Sequence, residues 1–499
     1  MLRPRHEAQG SQAAAVLRLT PARYILVNAR VRTLDDAVPG GSAVAIGGGR
    51  VLALGALRTV AAHRSPATEW IDCDGATLLP GLIDPHLHLH ALAAAVAHVD
   101  CRGFRRVARL LAAVRACAAT QPVGTWIRGD GIDEQKLDRL PTAAELDSAA
   151  PRHLVRLRHR SLHASVVSGR VLARLGAAPA GDGLIVGQEE GLRRLIGPLP
   201  AAILRAGFRE VGRTLVRCGL TTVADATPRP RARLAALAAA IDAGDLLVRV
   251  FAMRPPGTRP WRGRGRLQPG PVKIVVHEEG TGLRPSPAVL ARLIERAATA
   301  GDAVAVHCLG AHALVATLAG FARLPARWRQ GRGHRLEHVA ECPPALVAEI
   351  ARLGLAVVTN PAFIWDRGDV YRQETHPTAH AWLYRARSLV RAGVLLAAAS
   401  DAPVVAPDPW RTIATARVRR TRRGHVLGAR ERLSAAAALR VCTRAAGDVL
   451  GAPSLGRLRV GGPADLIVVD RDPLRTPAAA ILQSRVRLTI IGGEIVWRT

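Results

Sequence analysis

The chain has 499 residues, of which 49% are hydrophobic, so it can bury a large core, and its length favours more than one domain. The formal net charge is +31, but the basic residues are scattered and only 3% of the residues are aromatic. A nucleic-acid-binding face would interleave basic and stacking aromatic side chains, so nucleic acid is not an expected partner.

The N-terminal tail, residues 1–22, is polar and rich in arginine and alanine, with no apolar stretch long enough for a signal peptide. No later run approaches the length that a bilayer requires. The seven cysteines are widely spaced and form no Cys-x-x-Cys pair, which favours a reducing compartment and argues against a thiolate zinc site. We therefore expect a soluble, cytoplasmic protein without a membrane partner, with a homodimer as one option for its assembly.

Short β-type runs at both ends of the chain predict one β-sandwich assembled from the two termini. The N-terminal runs are 24–31 and 42–54, and runs of similar texture return only at 464–470 and 486–496. Neither set alone has enough strands to bury a face. The predicted domains are the tail at 1–22, the first part of the sandwich at 23–78, a barrel at 79–450 and the second part of the sandwich at 451–499.

The middle of the chain alternates strand-like and helical runs, which predicts the α/β class and a (β/α)₈ TIM-like barrel. The helical stretches include 232–243 and 287–300. The eight strand-like runs are 82–88, 221–225, 248–253, 272–277, 303–307, 334–338, 356–360 and 395–401. A gap of roughly 130 residues after the first run far exceeds one crossover, so we expect an inserted α+β segment at about 95–215.

The first barrel run ends in alternating histidines, His86, His88 and His90. Residues two apart on a strand share a face, so their imidazole nitrogens could share one metal ion. A half-buried strand whose polar face happens to be histidine is the alternative, and the spacing alone leaves it open.

Further polar residues fall at the ends of other barrel runs, where this fold builds its active sites. Lys273 stands at the start of the fourth run, and the others are His307, His338 and Asp401. Each alone could be a hydrogen-bonded core residue or a turn cap. Their joint occurrence with the histidine pair favours a common site.

These motifs resemble those of the amidohydrolase superfamily and, more narrowly, the family-3 amidohydrolases, over nearly the whole chain after about residue 22. The matching motifs are Pro80-Gly-Leu-Ile-Asp-Pro-His-Leu-His88, Trp126-Ile-Arg-Gly-Asp-Gly-Ile-Asp133, Gly270-Pro-Val-Lys273, Ala305-Val-His307, Arg335-Leu-Glu-His338, Ser400-Asp-Ala-Pro-Val404 and Pro463-Ala-Asp-Leu466. The resemblance implies two divalent metal ions, usually zinc, with manganese or iron as options. It assigns them the ligands His86, His88, Lys273 carboxylated on its amine, His307, His338 and Asp401.

The resemblance also implies hydrolysis of a non-peptide C–N bond in a small-molecule amide by a metal-activated hydroxide. Asp401 would be the catalytic residue that takes the proton and returns it to the departing nitrogen. Two alternatives stay open. One is hydrolysis of a cyclic amidine or imidazolone, or deamination, at the same site, and the other is an inactive Arg-rich scaffold.

The substrate side is less well defined by the sequence. Trp126, Asp133 and His163 are candidate substrate contacts, with core packing as the alternative for Trp126 and a solvated loop for His163. Two loops depart from the family pattern, because Ala311 stands where a carboxylate is usual and residues 277–280 read His-Glu-Glu-Gly. His90 has no counterpart in the pattern, and we expect it to pack or hydrogen-bond beneath the metals.

Overall fold

The computed structural model describes residues 20–134, 136–159, 164–176, 182–186, 189–197, 199–279 and 282–499. The described chain forms two compact units. The first unit contains residues 20–89 and 212–499, and the second contains residues 90–211.

The first unit contains a barrel of eight parallel strands, paired in chain order. The strands are Leu82–Leu87, Leu220–Asp225, Arg249–Arg254, Leu267–Val275, Val304–Cys308, Arg335–His338, Ala356–Thr359 and Leu396–Ala398. Every predicted strand-like run overlaps one of them, so the barrel prediction is confirmed. Residues just beyond the last strand close the ring, because Asp401 N donates to His86 O at 2.9 Å and His88 N donates to Ala402 O at 2.8 Å.

Helices follow the barrel strands and cover their outer faces, which is why the strands are apolar almost throughout. The predicted helical stretches correspond to Ala235–Asp242 and Pro287–Thr299. The other helices of this unit include Ala311–Ala322, Pro344–Arg352, Ala362–Glu374, Ala386–Arg391, Pro409–Val418, Ala435–Arg440 and Arg444–Val449, and the helix Ala201–Arg217 precedes the second strand.

The fourth strand differs from its prediction. It begins at Leu267, so Lys273 lies two residues before its carboxyl end and does not open it. Pro269 and Pro271 look like strand breakers in the sequence, but this part pairs only with the third strand, and pairing with the fifth begins at Val272. Proline is tolerated in a strand where no partner needs its missing N–H.

Two further sheets form the sandwich. One has the order Arg50–Gly55, Ala43–Gly47, Tyr24–Val27 and Glu69–Asp72, and the other has the order Arg30–Val31, Thr77–Pro80, Leu466–Val469, Val486–Ile491 and Glu494–Arg498. Antiparallel pairing of Thr77–Pro80 with Leu466–Val469 joins the two ends of the chain. Leu26, Val44, Leu78, Leu466 and Ile490 share one core, so the composite sandwich is confirmed.

The second unit is an α+β segment, as expected. Its sheet has the order Leu184–Val186, Ala164–Val167, Leu154–His159, Trp126–Ile132 and Val99–Asp100. Its helices include Val107–Thr120, Ala143–Ala149, Gly169–Arg174 and Glu189–Ile196, and Leu89–Val96 leads into it. Across both units, no helix in the described ranges is both long and apolar enough to cross a bilayer.

Candidate metal centre

The structure brings the histidines of the first, fifth and sixth barrel strands together with the aspartate that follows the eighth. The ring centroids of His86 and His338 are 4.7 Å apart, and those of His307 and His338 are 4.5 Å apart. Asp401 Oδ1 lies 3.5 Å from His86 Nε2 and 3.1 Å from His88 Nε2. Two imidazole nitrogens and one carboxylate oxygen therefore face a common space, which is an arrangement that can hold a divalent ion.

Three imidazoles are oriented by a polar side chain at Nδ1. His86 contacts Glu337 Oε2, His88 contacts Thr227 Oγ1 at 2.7 Å, and His338 contacts Asn360 Oδ1 at 2.8 Å. Fixing Nδ1 sets the orientation of each ring and leaves Nε2 free to bind a metal. None of these three partners was predicted from the sequence as a site residue.

Burial favours the neutral imidazoles that metals require. It lowers the pKa of His86 to about 3, with a further contribution from Lys273. It lowers the pKa of His307 to about 2, with the neighbouring His338 adding to the effect. Burial alone would raise the pKa of Asp401, but the hydrogen bond from His88 and the nearby imidazoles hold it below its usual value. Asp401 is therefore a carboxylate at pH 7, near the neutral imidazoles of His86 and His307.

Lys273 is the unusual member of the group. Its side chain is almost fully buried, and its Nζ has no hydrogen-bond partner among the described residues. Burial lowers the pKa of Lys273, although the Glu337 carboxylate opposes this. An unpartnered buried amine is costly, whereas a carboxylated amine would offer two oxygens to metal ions. The environment of Lys273 thus fits the predicted modification.

Two of the candidate ligands have left-handed backbone conformations. His338 has φ 71°, the following Val339 has φ 48°, and Asp401 has φ 58°. Such conformations are uncommon outside glycine, cost on the order of 1–3 kcal/mol each and cluster at functional sites. Their coincidence with two candidate ligands supports a functional role for this end of the barrel.

The buried carboxylate of Asp84 joins the first barrel strand to the residue before Asp401. Ser400 Oγ donates to Asp84 Oδ2 at 2.5 Å, and Ser400 N also points at this carboxylate. Burial raises the pKa of Asp84 to about 6, partly offset by these hydrogen bonds. These hydrogen bonds link the strand that carries His86 to the turn that carries Asp401.

The two altered loops contact each other. Glu278 Oε1 accepts a hydrogen bond from Ala313 N at 2.9 Å, in the first turn of the helix that follows the fifth strand. A Cβ atom at Gly310 would lie 2.2 Å from Glu278 Oε2, so glycine makes room for this carboxylate. Glu278 thus places a negative charge at the N-terminus of the helix that begins at Ala311, where it stabilises the helix.

Two of the predicted substrate contacts, Trp126 and Asp133, belong to the second unit. Trp126 is partly buried and packs against its hydrophobic core, whereas Asp133 is buried at the end of a strand. His163 lies outside the described residues. The substrate roles of Trp126, Asp133 and His163 remain predictions.

The ring of His90 packs edge-on against Phe208, with ring centroids 5.1 Å apart.

Asp133 also belongs to a second group with ligand-type side chains. Together with Glu134 and His159 it places three candidate ligand atoms close to one another. Here His159 Nε2 already contacts Glu134 Oε2 at 2.5 Å, and Lys136 Nζ lies 3.2 Å from Asp133 Oδ2. Spacing in the sequence does not reveal this group, because its members come from two different strand ends.

Comparison with known proteins agrees with the geometry. The sequence pattern of the amidohydrolase family matches residues 69–497. The chain is 27% identical to an N-substituted formamide deformylase from Arthrobacter pascens, over 94% of this chain and 97% of that one. An uncharacterized metal-dependent hydrolase from Pyrococcus furiosus is 26% identical, with a TM-score of 0.75, over 91% of this chain and 100% of that one. Atrazine chlorohydrolase TrzN from Arthrobacter aurescens TC1, solved with zinc, shares the fold at 17% identity with a TM-score of 0.57, over 95% of each chain. The match over most of its length shows that this chain belongs to the amidohydrolase family, a family of hydrolytic enzymes.

Proposed function

We propose that the chain is a metal-dependent hydrolase that cleaves a non-peptide C–N bond in a small-molecule amide. The observation that carries the proposal is the convergence of His86 Nε2 and His88 Nε2 on Asp401, with both Nδ1 atoms fixed from behind. The proposed metal ligands are His86, His88, Lys273, His307, His338 and Asp401.

Two divalent ions, when bound, would activate water as a nucleophile near neutral pH and polarise the substrate carbonyl. Asp401 is the proposed catalytic residue. Its carboxylate takes the proton of the attacking water and returns it to the departing nitrogen, because an unprotonated amide anion is a very poor leaving group. The low pKa of Asp401 keeps it able to accept that proton at pH 7.

Lys273 is proposed to be carboxylated on its amine. A carbamate is an anion whose two oxygens can each bind one ion, whereas an ammonium at this place would repel both. Arginine could not replace it, since a guanidinium stays protonated and offers only donors. Zinc is the proposed metal, with manganese or iron as alternatives.

The similarity to an N-substituted formamide deformylase makes N-substituted formamides the first substrates to test. Trp126, Asp133 and His163 are proposed to contribute to substrate selection. All seven cysteines are free, which is consistent with the cytoplasmic location that we propose.

The test is a hydrolysis assay of the zinc-reconstituted chain on matched N-formyl, N-acyl and cyclic amides and on cyclic amidines, with Asp401→Asn as the blank. We expect at least one class to be hydrolysed with release of an amine. Turnover that is equal in Asp401→Asn, or turnover of cyclic amidines only, would contradict the proposal.

A further inference from the structure

The interior of the barrel contains an ion pair that the proposed reaction does not use. Arg335 and Glu337 lie two residues apart on the sixth strand, and their side chains are 1% and 0% exposed. Arg335 Nε donates to Glu337 Oε1 at 2.7 Å, and Arg335 Nη2 donates to Pro85 O at 3.2 Å. The pair therefore connects the sixth strand to the first, directly before His86.

The second oxygen of the carboxylate holds His86. Glu337 Oε2 accepts from His86 Nδ1, so the two oxygens of Glu337 bridge a guanidinium and an imidazole. A carboxylate cannot donate, so His86 must carry its proton at Nδ1 and present a bare Nε2. Burial opposes the charge of Glu337, but Arg335 holds the pKa of this carboxyl well below its usual value.

His86 differs in this respect from the other oriented histidines. His88 is held by the hydroxyl of Thr227 and His338 by the amide of Asn360, which are both neutral groups. A carboxylate accepts more strongly than either and raises the electron density on Nε2 of the ring that it contacts. The three imidazoles are therefore unequal as metal ligands.

We infer that Arg335 and Glu337 are a positioning pair that fixes the tautomer of His86 and makes the His86, His88 and Asp401 group the tighter of two metal positions. This inference rests on the metal-dependent function proposed above. Arg335 is required because an uncompensated carboxylate in the barrel interior would be strongly destabilising. Lys273, His307 and His338 would then form the position that loads second.

The test is a zinc titration of the metal-free full-length chain against a competing chelator. The main variant replaces the pair by a neutral one of similar volume, Arg335→Met with Glu337→Gln, because breaking only one partner would leave a buried charge. The amide oxygen introduced by Glu337→Gln can still accept the hydrogen bond from His86 Nδ1 but carries no charge. We expect the tighter zinc affinity to weaken about 10- to 100-fold and the weaker affinity to stay unchanged.

Two further variants test whether the double variant loses zinc only because it misfolds, and whether the two zinc affinities are assigned to the right positions. Glu337→Asp keeps the charge and shortens the side chain away from His86, so it should show a similar loss at the tight position. His307→Ala should affect only the weaker step. The matched control is an ion pair of the same residue types on the surface, Arg352 and Glu349. The double variant Arg352→Met with Glu349→Gln should bind zinc with the two affinities of the wild type.

The outcomes separate the two proposals. Tight zinc binding by the wild type with an unchanged first affinity in both Glu337 variants would overturn this inference and leave the proposed function intact. Loss at the weaker step alone would also overturn it. A wild type that binds no zinc would overturn the proposed function and this inference together.

Discussion

Two regions of the molecule carry the same kinds of ligand atoms and differ in everything around them. The barrel group contains His86, His88 and Asp401, and the inserted unit contains Asp133, Glu134 and His159. In the barrel, both histidines are held at Nδ1 by other side chains, and their Nε2 atoms face the aspartate. In the inserted unit, Nε2 of the histidine is already engaged by a half-exposed glutamate.

The only two lysines of the chain sharpen this contrast, since one lies beside each group. Lys273 is buried, and its Nζ lacks a hydrogen-bond partner in the described part of the chain. Lys136 is 49% exposed and forms an ion pair with Asp133. The inserted group thus contacts a half-exposed glutamate and an exposed lysine, whereas the barrel group is buried around Asp401 with both imidazoles held from behind. Residue type alone does not distinguish a metal site, but burial and orientation do.

The largest expected effect is that of Asp401→Asn. An amide cannot accept the proton of the attacking water, and the lost charge weakens metal binding, so kcat should fall by several orders of magnitude. Circular dichroism should show an intact fold. A kcat close to that of the wild type would remove Asp401 from the mechanism.

Lys273 should be almost as sensitive. Lys273→Ala should lose activity and most of the second metal, with partial recovery when a short-chain carboxylic acid is added to replace the carbamate. Lys273→Arg should be as inactive, because a guanidinium cannot be carboxylated at neutral pH. Lys136→Arg is the matched control and should keep wild-type kcat and metal content. Full activity with two metals in Lys273→Arg would exclude the carbamate.

The inserted group should behave as an ordinary polar cluster. The double change Glu134→Gln with His159→Ala should leave the zinc content per chain unchanged, measured by elemental analysis after reconstitution. Its effect should be confined to the stability of the inserted unit or to KM. A loss of one zinc per chain would show that the inserted group also binds zinc, contrary to this prediction.

The smallest effect concerns an ion pair of the inserted unit. Asp130 contacts His98 at 2.5 Å and Arg158 at 2.9 Å, and although burial opposes it, these partners lower its pKa to about 2. A lowered carboxyl pKa stabilises the fold above about pH 4, and this contribution disappears as the pH falls through 2. Asp130→Asn should therefore cost on the order of 1 kcal/mol near pH 7, after allowance for its partial exposure.

Urea unfolding of wild type and Asp130→Asn between pH 3 and pH 7 measures this prediction. The difference in the free energy of unfolding should stay level from pH 7 to about pH 5 and shrink as the pH falls below about 4. A difference that is constant with pH, or that grows as the pH falls, would show that the charge of Asp130 is not the stabilising feature.

The barrel could be predicted from the sequence, because buried parallel strands are continuous apolar runs. The six candidate ligands could be named from polar residues at the strand ends together with the family resemblance, and their role as ligands stays a prediction. The sixth strand carries a further pattern. Arg335 and Glu337 are charged residues two apart on this strand, so they share one face of it. A charged pair at such positions predicts a buried network.

Other features depend on contacts between distant parts of the chain and could not be predicted locally. Thr227 and Asn360 orient histidines that are far from them in sequence. Glu278 reaches a helix that begins more than thirty residues later, so its role is visible only in three dimensions. Pro269 and Pro271 resemble strand breakers, and only the pairing of the strands shows that an unpaired edge tolerates them and that the fourth strand begins at Leu267, before Lys273.

The most direct test of the proposed metal centre is the anomalous scattering of a zinc-reconstituted crystal at the zinc absorption edge. We expect two peaks in the barrel, one within coordination distance of His86, His88 and Asp401 and a second near His307 and His338, with density for a carboxylated Lys273. We expect no peak beside Asp133 and His159. A barrel without zinc, or a peak in the inserted unit alone, would contradict the proposed metal centre.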